Sequence, residues 1–171
     1  MGKDIHTLIE IKENDLWKPV EDELDRFDGR SYRFFGILED NFGRRGIPKE
    51  LEGKKFKKSK YEEDYWGFDF TADWMFGYSY VLLKELRDYY NNLNKVTVSE
   101  EFLEKFFELG GVLPEGMSLE KEDGKIYVEP LDEEDIWFYE FFDEGIKEIE
   151  RIAEKYNVTS ENIRMVFAFD W

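Results

Sequence analysis

From Asp4 to Lys12 the chain alternates. Ile5, Ile9 and Ile11 fall on one side, and Asp4, His6, Leu8 and Glu10 on the other, which is the period of a half-buried strand. Glu13-Asn14-Asp15 reads as a turn. Leu16-Trp17-Lys18-Pro19-Val20 reads as an edge strand folding back, because Pro19 has no N–H to give to a ladder. The last residues alternate again. Ile163, Met165, Phe167 and Phe169 share one face, and Arg164, Val166, Ala168 and Asp170 the other.

Between the two ends the period changes to that of helices. Ser31 is placed to cap a helix over YRFFGILED that buries Phe34, Phe35 and Leu38. Helical spacing returns at Leu82, Leu83 and Leu86, and in EEFLEKFFEL, where Ser99 is the expected cap and Gly110 the stop. MSLEKEDGKIYVE predicts a hairpin turning at Asp123-Gly124. DEEDIWFYEFFDEGIKEIERIAEKYN predicts the longest helix, with acids in its first turn and Gly145 as a weak point inside it. Residues 42–60 predict a basic loop broken by Gly43, Gly46, Pro48 and Gly53. Residues 61–80 hold nine aromatics in twenty positions and predict a buried aromatic layer. The sum is an α+β fold: a mixed or antiparallel sheet containing both chain termini, with three to four helices packed on one face.

The 171 residues predict a single domain, 1–171, able to bury a core. With no cysteine, a disulfide framework, a thiolate metal site and a cysteine nucleophile are excluded. No apolar run approaches a membrane span, and no hydrophobic leader stands at the start, so a cytoplasmic protein is expected. The net charge is −17, and residues 100–171 carry 21 acids against 7 bases. A field of that sign repels nucleic acid and favours basic protein surfaces. The basic run Arg44–Lys60 then reads as an answer to the chain's own acids rather than as a nucleic-acid patch.

His6 is the only histidine, and Asp4 lies two residues before it on the same strand face. With Asp170 brought alongside by pairing of the terminal strands, Asp4, His6 and Asp170 form a candidate site for a divalent metal, zinc above all. The alternative is a polar strand edge with no ion. A His–Asp pair also suits general-base chemistry, so a metal-dependent hydrolase or small-nucleotide binder built on Asp4 and His6 is the rival reading. No phosphate loop, dinucleotide fingerprint or HExxH helix is present.

Met-Gly-Lys-Asp-Ile-His at the start and Val-Phe-Ala-Phe-Asp-Trp at the end, with GRSYRFFGIL, RGIPKEL and FGYSYVLLKEL between, resemble a family of small phage-encoded proteins. The signature of that family is a Met-Gly-Cys-Asp-Ile-His start and a Val-Phe-x-Phe-Asp-Asn end. The stretch around 95–130 matches least and reads as an acidic insertion. Lys3 replaces the family's cysteine, and Phe76-Gly77-Tyr78 replaces its histidine-containing stretch. The resemblance strengthens Asp4, His6 and Asp170 as a metal site and makes a structural ion more expected than a catalytic one. Phage context with this charge implies a non-enzymatic inhibitor of a host defence nuclease, of the anti-CRISPR type, working in the host cytoplasm. Its protein partner would be a CRISPR effector nuclease. Glu129, Asp132, Glu133, Glu134 and Asp135 would meet that partner's basic groove, with no direct binding of nucleic acid and no membrane contact.

Overall fold

A computed structural model describes residues 2–27, 30–52, 55–56, 68–69, 75–93, 96–98, 100–112, 117–122, 125–130 and 133–170. Within these, the side chains of 55–56, 68–69, 96–98, 100, 102, 117–122, 125–130 and 133–136 are left undescribed. The chain divides into two compact units. The first is Met1–Arg87 with Phe142–Trp171, and the second is Asp88–Phe141. The second unit encloses the stretch 95–130 that the sequence sets apart as an acidic insertion.

The first unit is built on a four-stranded antiparallel sheet of order β2-β1-β9-β5. Its strands are β1 (Asp4–Glu13), β2 (Leu16–Pro19), β5 (Phe76–Leu82) and β9 (Ile163–Asp170). Both ends of the chain lie in this sheet, as their alternation predicts, and the structure makes β1 and β9 its central pair. The β1–β2 turn is made by Asn14 and Asp15, both with positive φ, a conformation these two residue types tolerate better than most. A two-stranded ribbon, β3 (Lys55–Phe56) and β4 (Phe68–Asp69), and a single 3-10 turn over Lys49–Leu51 complete the strand side of this unit.

Pairing of β1 with β9 sets Ile5 opposite Phe169, Thr7 opposite Phe167, Ile9 opposite Met165 and Ile11 opposite Ile163. Helix α1 (Tyr32–Phe42) begins where expected, with the Ser31 hydroxyl accepting from the Phe34 N–H, and buries Phe34, Phe35, Leu38 and Phe42. Phe35 meets Phe169 of this sheet face with ring centroids 5.4 Å apart. Helix α4 (Glu133–Tyr156) contributes Phe142, packed edge-on against both Phe27 and Phe34. Gly145 is not a weak point. A Cβ there would collide with the Phe27 ring, which stacks on Phe34 at 4.3 Å, so the glycine is the seat that lets this ring reach the helix.

Besides β3 and β4, two strands lie outside the sequence reading or against it, β5 and β6. Phe76–Leu82 is the edge strand β5, and helix α2 (Leu83–Asn91) starts only after it. The alternation of β5 is broken by a register shift between Phe76 and Ser79, where Gly77 takes φ 65° and its missing Cβ leaves room for the Phe169 ring. In the second unit, β6 (Val96–Val98) joins the expected hairpin of β7 (Met117–Glu122) and β8 (Lys125–Pro130) in the order β6-β8-β7. Helix α3 (Glu100–Glu108) ends as expected at Gly110, φ 77°, with the Gly111 N–H bonded to the Phe106 carbonyl and the Gly110 N–H to that of Phe107. Its expected cap Ser99, the turn Asp123-Gly124 and residues 61–67 and 70–74 of the aromatic stretch 61–80 lie outside the described residues.

The other face of the four-stranded sheet was expected to be its polar side. It is covered too. Leu51, Met75, Val166 and Ala168 form a buried cluster there, with Leu8, Ile47, Tyr78 and Tyr80 packed against it. β9 is therefore buried along its length except at Asp170. Among the described residues no helix is long and apolar enough to cross a membrane.

Candidate functional site

The antiparallel register brings the three candidate residues to one end of the covered face. Asp4 stands directly opposite Asp170, and His6 opposite Ala168. Two carboxylates facing each other across adjacent strands repel unless they are answered. The answer comes from two directions. Arg30, in the segment before α1, binds Asp4 through Nε and through Nη2, the latter at 2.9 Å. That pairing, first through the hydrogen bond and then through charge, with Asp170 adding its field, holds the Arg30 guanidinium above its ordinary pKa. From the diagonal position His6 donates its Nε2–H to Asp170 Oδ2 at 3.0 Å. Both side chains of this pair are about four-fifths buried.

Lys3 is also accounted for. Its ammonium pairs with Glu39 of α1 and sits 3.9 Å from the centre of the Phe169 ring. A cation thus bridges β1's approach, the first helix and the last strand.

The expected metal would draw on Asp4, His6 and Asp170. Among the described residues, no group of three or more His, Asp or Glu side chains gathers around a common point. As placed, the Asp4 carboxylate is taken up by Arg30, and His6 Nε2 points at Asp170 rather than at a shared centre. In this arrangement the three side chains are engaged pairwise with Arg30 and with each other.

At the far end of the same face lies a group that sequence reasoning missed. Glu10 is fully buried and is bound by Arg164 Nε at 2.8 Å, directly across the β1–β9 ladder. Arg164 Nη2 also binds Glu50 from the 3-10 turn. The guanidinium lies 4.1 Å from the Trp17 ring centre and 4.5 Å from that of Tyr80, between edge strands β2 and β5. Glu10 and Arg164 were visible as polar members of alternating strands. Glu50 was not, because nothing in a broken basic loop marks one carboxylate as destined for the sheet.

The acidic partner-binding candidates are placed only by their backbone. Glu129 is in β8 opposite Ser118, and Glu133, Glu134 and Asp135 open α4. Their side chains, and Asp132 as a whole, lie outside what is described. A cleft of about 570 Å³ adjoins β2 and the end of α4, away from His6. Among its lining charges, Lys155 and the Tyr156 hydroxyl bind Asp22, both at 2.7 Å, and Lys18 binds Glu13 at 3.1 Å. No family model matches the chain, and no curated protein or solved structure matches it either.

Proposed function

We propose that the protein is a non-enzymatic inhibitor that occupies a basic, nucleic-acid-handling surface of another protein, a CRISPR-type effector nuclease being the partner of choice. The observation that carries this reading is where the charge sits once the chain is divided into its compact units. Asp88–Phe141 holds 15 acids against 4 bases in 54 residues, net −11 of the total −17. The other unit holds 26 acids against 20 bases and answers many of its acids internally. Arg45 binds Glu85 through both terminal nitrogens, Arg87 joins Asp143 to Glu150, and Lys147 bridges Asp143 and Glu144. Lys and Arg side chains that hold phosphates accept carboxylates as well, so a compact unit with this excess competes for a phosphate-binding groove. Glu129, Asp132, Glu133, Glu134 and Asp135 belong to it.

The test is a cleavage assay with purified, guide-loaded effector nucleases. Addition of the protein before DNA should block cleavage, and rising salt should weaken the block. Reversal of Asp132, Glu133, Glu134 and Asp135 to Lys should abolish it. If no nuclease in a panel spanning the effector types is bound, or the reversed protein inhibits equally well, the reading fails.

The rival reading, a structural zinc ion or a metal-dependent hydrolase at Asp4, His6 and Asp170, is favoured by one observation: the register that sets all three residues at one end of the sheet. Elemental analysis of the purified protein decides it. Near-stoichiometric zinc supports it, and a metal-free protein with an unchanged melting temperature in chelator removes it.

A further inference from the structure

The segment Gly46–Leu51 covers the second sheet face without joining it by backbone. Among the described residues its main-chain bonds are local, from the Leu51 N–H to the Pro48 carbonyl and from the Glu52 N–H to that of Lys49. Its side chains hold it down, with Pro48 buried and Ile47 packed against the apolar cluster. Leu51 is fully buried against Val166, Ala168 and Met75, and the Glu50 carboxylate rests on Arg164. Arg164 and Val166 are two apart on one strand, so they share a sheet face with their Cα atoms roughly 6–7 Å apart. What this segment presents to the sheet is therefore a carboxylate joined to a short branched hydrocarbon. The receiving surface is an apolar floor ending in a guanidinium clasped between Trp17 and Tyr80.

We propose that Glu50-Leu51 is a built-in occupant of an acid-binding tray, and that a small molecule with an apolar body and one terminal carboxylate takes its place. The class is that of medium-chain fatty acids. The exchange balances. One carboxylate replaces another on Arg164 and one hydrocarbon replaces another on Val166 and Ala168, so no buried charge is left uncompensated. Opening breaks no strand ladder, which sets its cost below that of global unfolding. Gly46, with φ 73° and open space where a Cβ would stand, provides the pivot. The proposal is independent of the nuclease reading.

Hydrogen exchange on the full chain tests it, with octanoate as the probe and 1-octanol as the uncharged control of equal length. Octanoate should speed exchange of the amides of residues 46–51 several-fold while leaving those of β9 unchanged, and octanol should do so far less. Glu50→Gln, which removes the competing carboxylate, should raise the resting exchange of this segment and tighten octanoate binding. Equal effects of octanoate and octanol would overturn the proposal. So would an octanoate response absent from the wild type, or a segment that exchanges only together with β9. If the variant does not fold, the wild-type comparison of the two probes decides alone.

Discussion

The two faces of the four-stranded sheet are buried by different means. One face meets α1 and α4 through Phe34, Phe35, Phe142 and the odd-numbered residues of β1 and β9, and holds together by apolar area and ring geometry. The other meets a short irregular segment, and its cover is completed by an ionic group, Glu10–Arg164–Glu50, with two aromatic rings on the guanidinium. Helices bring a continuous apolar stripe to a sheet, and away from their ends their backbone groups are already bonded to one another. A loop brings few apolar side chains, so charged residues remain beneath it and must be matched to one another. Burial by pairing costs more in desolvation and depends on every partner being present.

That contrast is open to direct attack. The largest effects should come from one substitution on each face. Phe34→Ala should destabilise by about 3–5 kcal/mol through lost transfer energy and a cavity. Arg164→Met should cost a similar amount, about 3–5 kcal/mol, for another reason: it strands the buried Glu10 carboxylate. The faces separate in the rescue. Adding Glu10→Leu to Arg164→Met should restore most of the lost stability in urea denaturation, whereas no second truncation next to Phe34 should do so. A double variant no more stable than Arg164→Met would refute the ionic account.

Gly145→Ala probes the helical face more gently. Helix propensity alone favours alanine by about 1 kcal/mol, but the Cβ meets the Phe27 ring, and overpacking of this kind costs about 1–3 kcal/mol. A net fall in melting temperature is expected, and a rise would mean that the Phe27 ring moves aside freely. On the other face, His6→Ala should remove one partly buried hydrogen bond to Asp170, worth about 1 kcal/mol. A much larger loss, reproduced by chelator, would instead point to an ion.

The smallest effect is a matter of pH. The hydrogen bond from Arg45 holds the Glu85 carboxyl below the usual glutamate range against the opposing effect of burial, and the Leu82 N–H helps. A depressed folded value means that this stabilisation is complete above the unfolded carboxyl's range and is lost as pH falls through the folded value. Glu85→Gln should therefore lower stability at neutral pH and flatten the acid limb of a melting-temperature profile. An unchanged acid limb would show that other carboxylates dominate it.

Period-2 alternation at both ends of the chain was enough to predict β1 and β9 and their shared sheet, because antiparallel strands with one apolar face have few other places to go. Ser31, Gly110 and the helical spacing marked α1, α3 and α4 for local reasons of capping and periodicity. β5 stayed hidden because a glycine-centred shift interrupts its alternation, and β6 because three residues are too few to carry a period. Asp4, His6 and Asp170 were legible as neighbours, since register follows from the strand pattern. Their partners were not. Arg30 and Glu50 reach the sheet from the segment before α1 and from a single 3-10 turn, and only the folded chain decides which charge meets which. For the same reason the sequence by itself settled the total of −17, while the tertiary structure decided how that total divides. The division falls between a unit that answers many of its acids internally and one, Asp88–Phe141, that keeps a net −11.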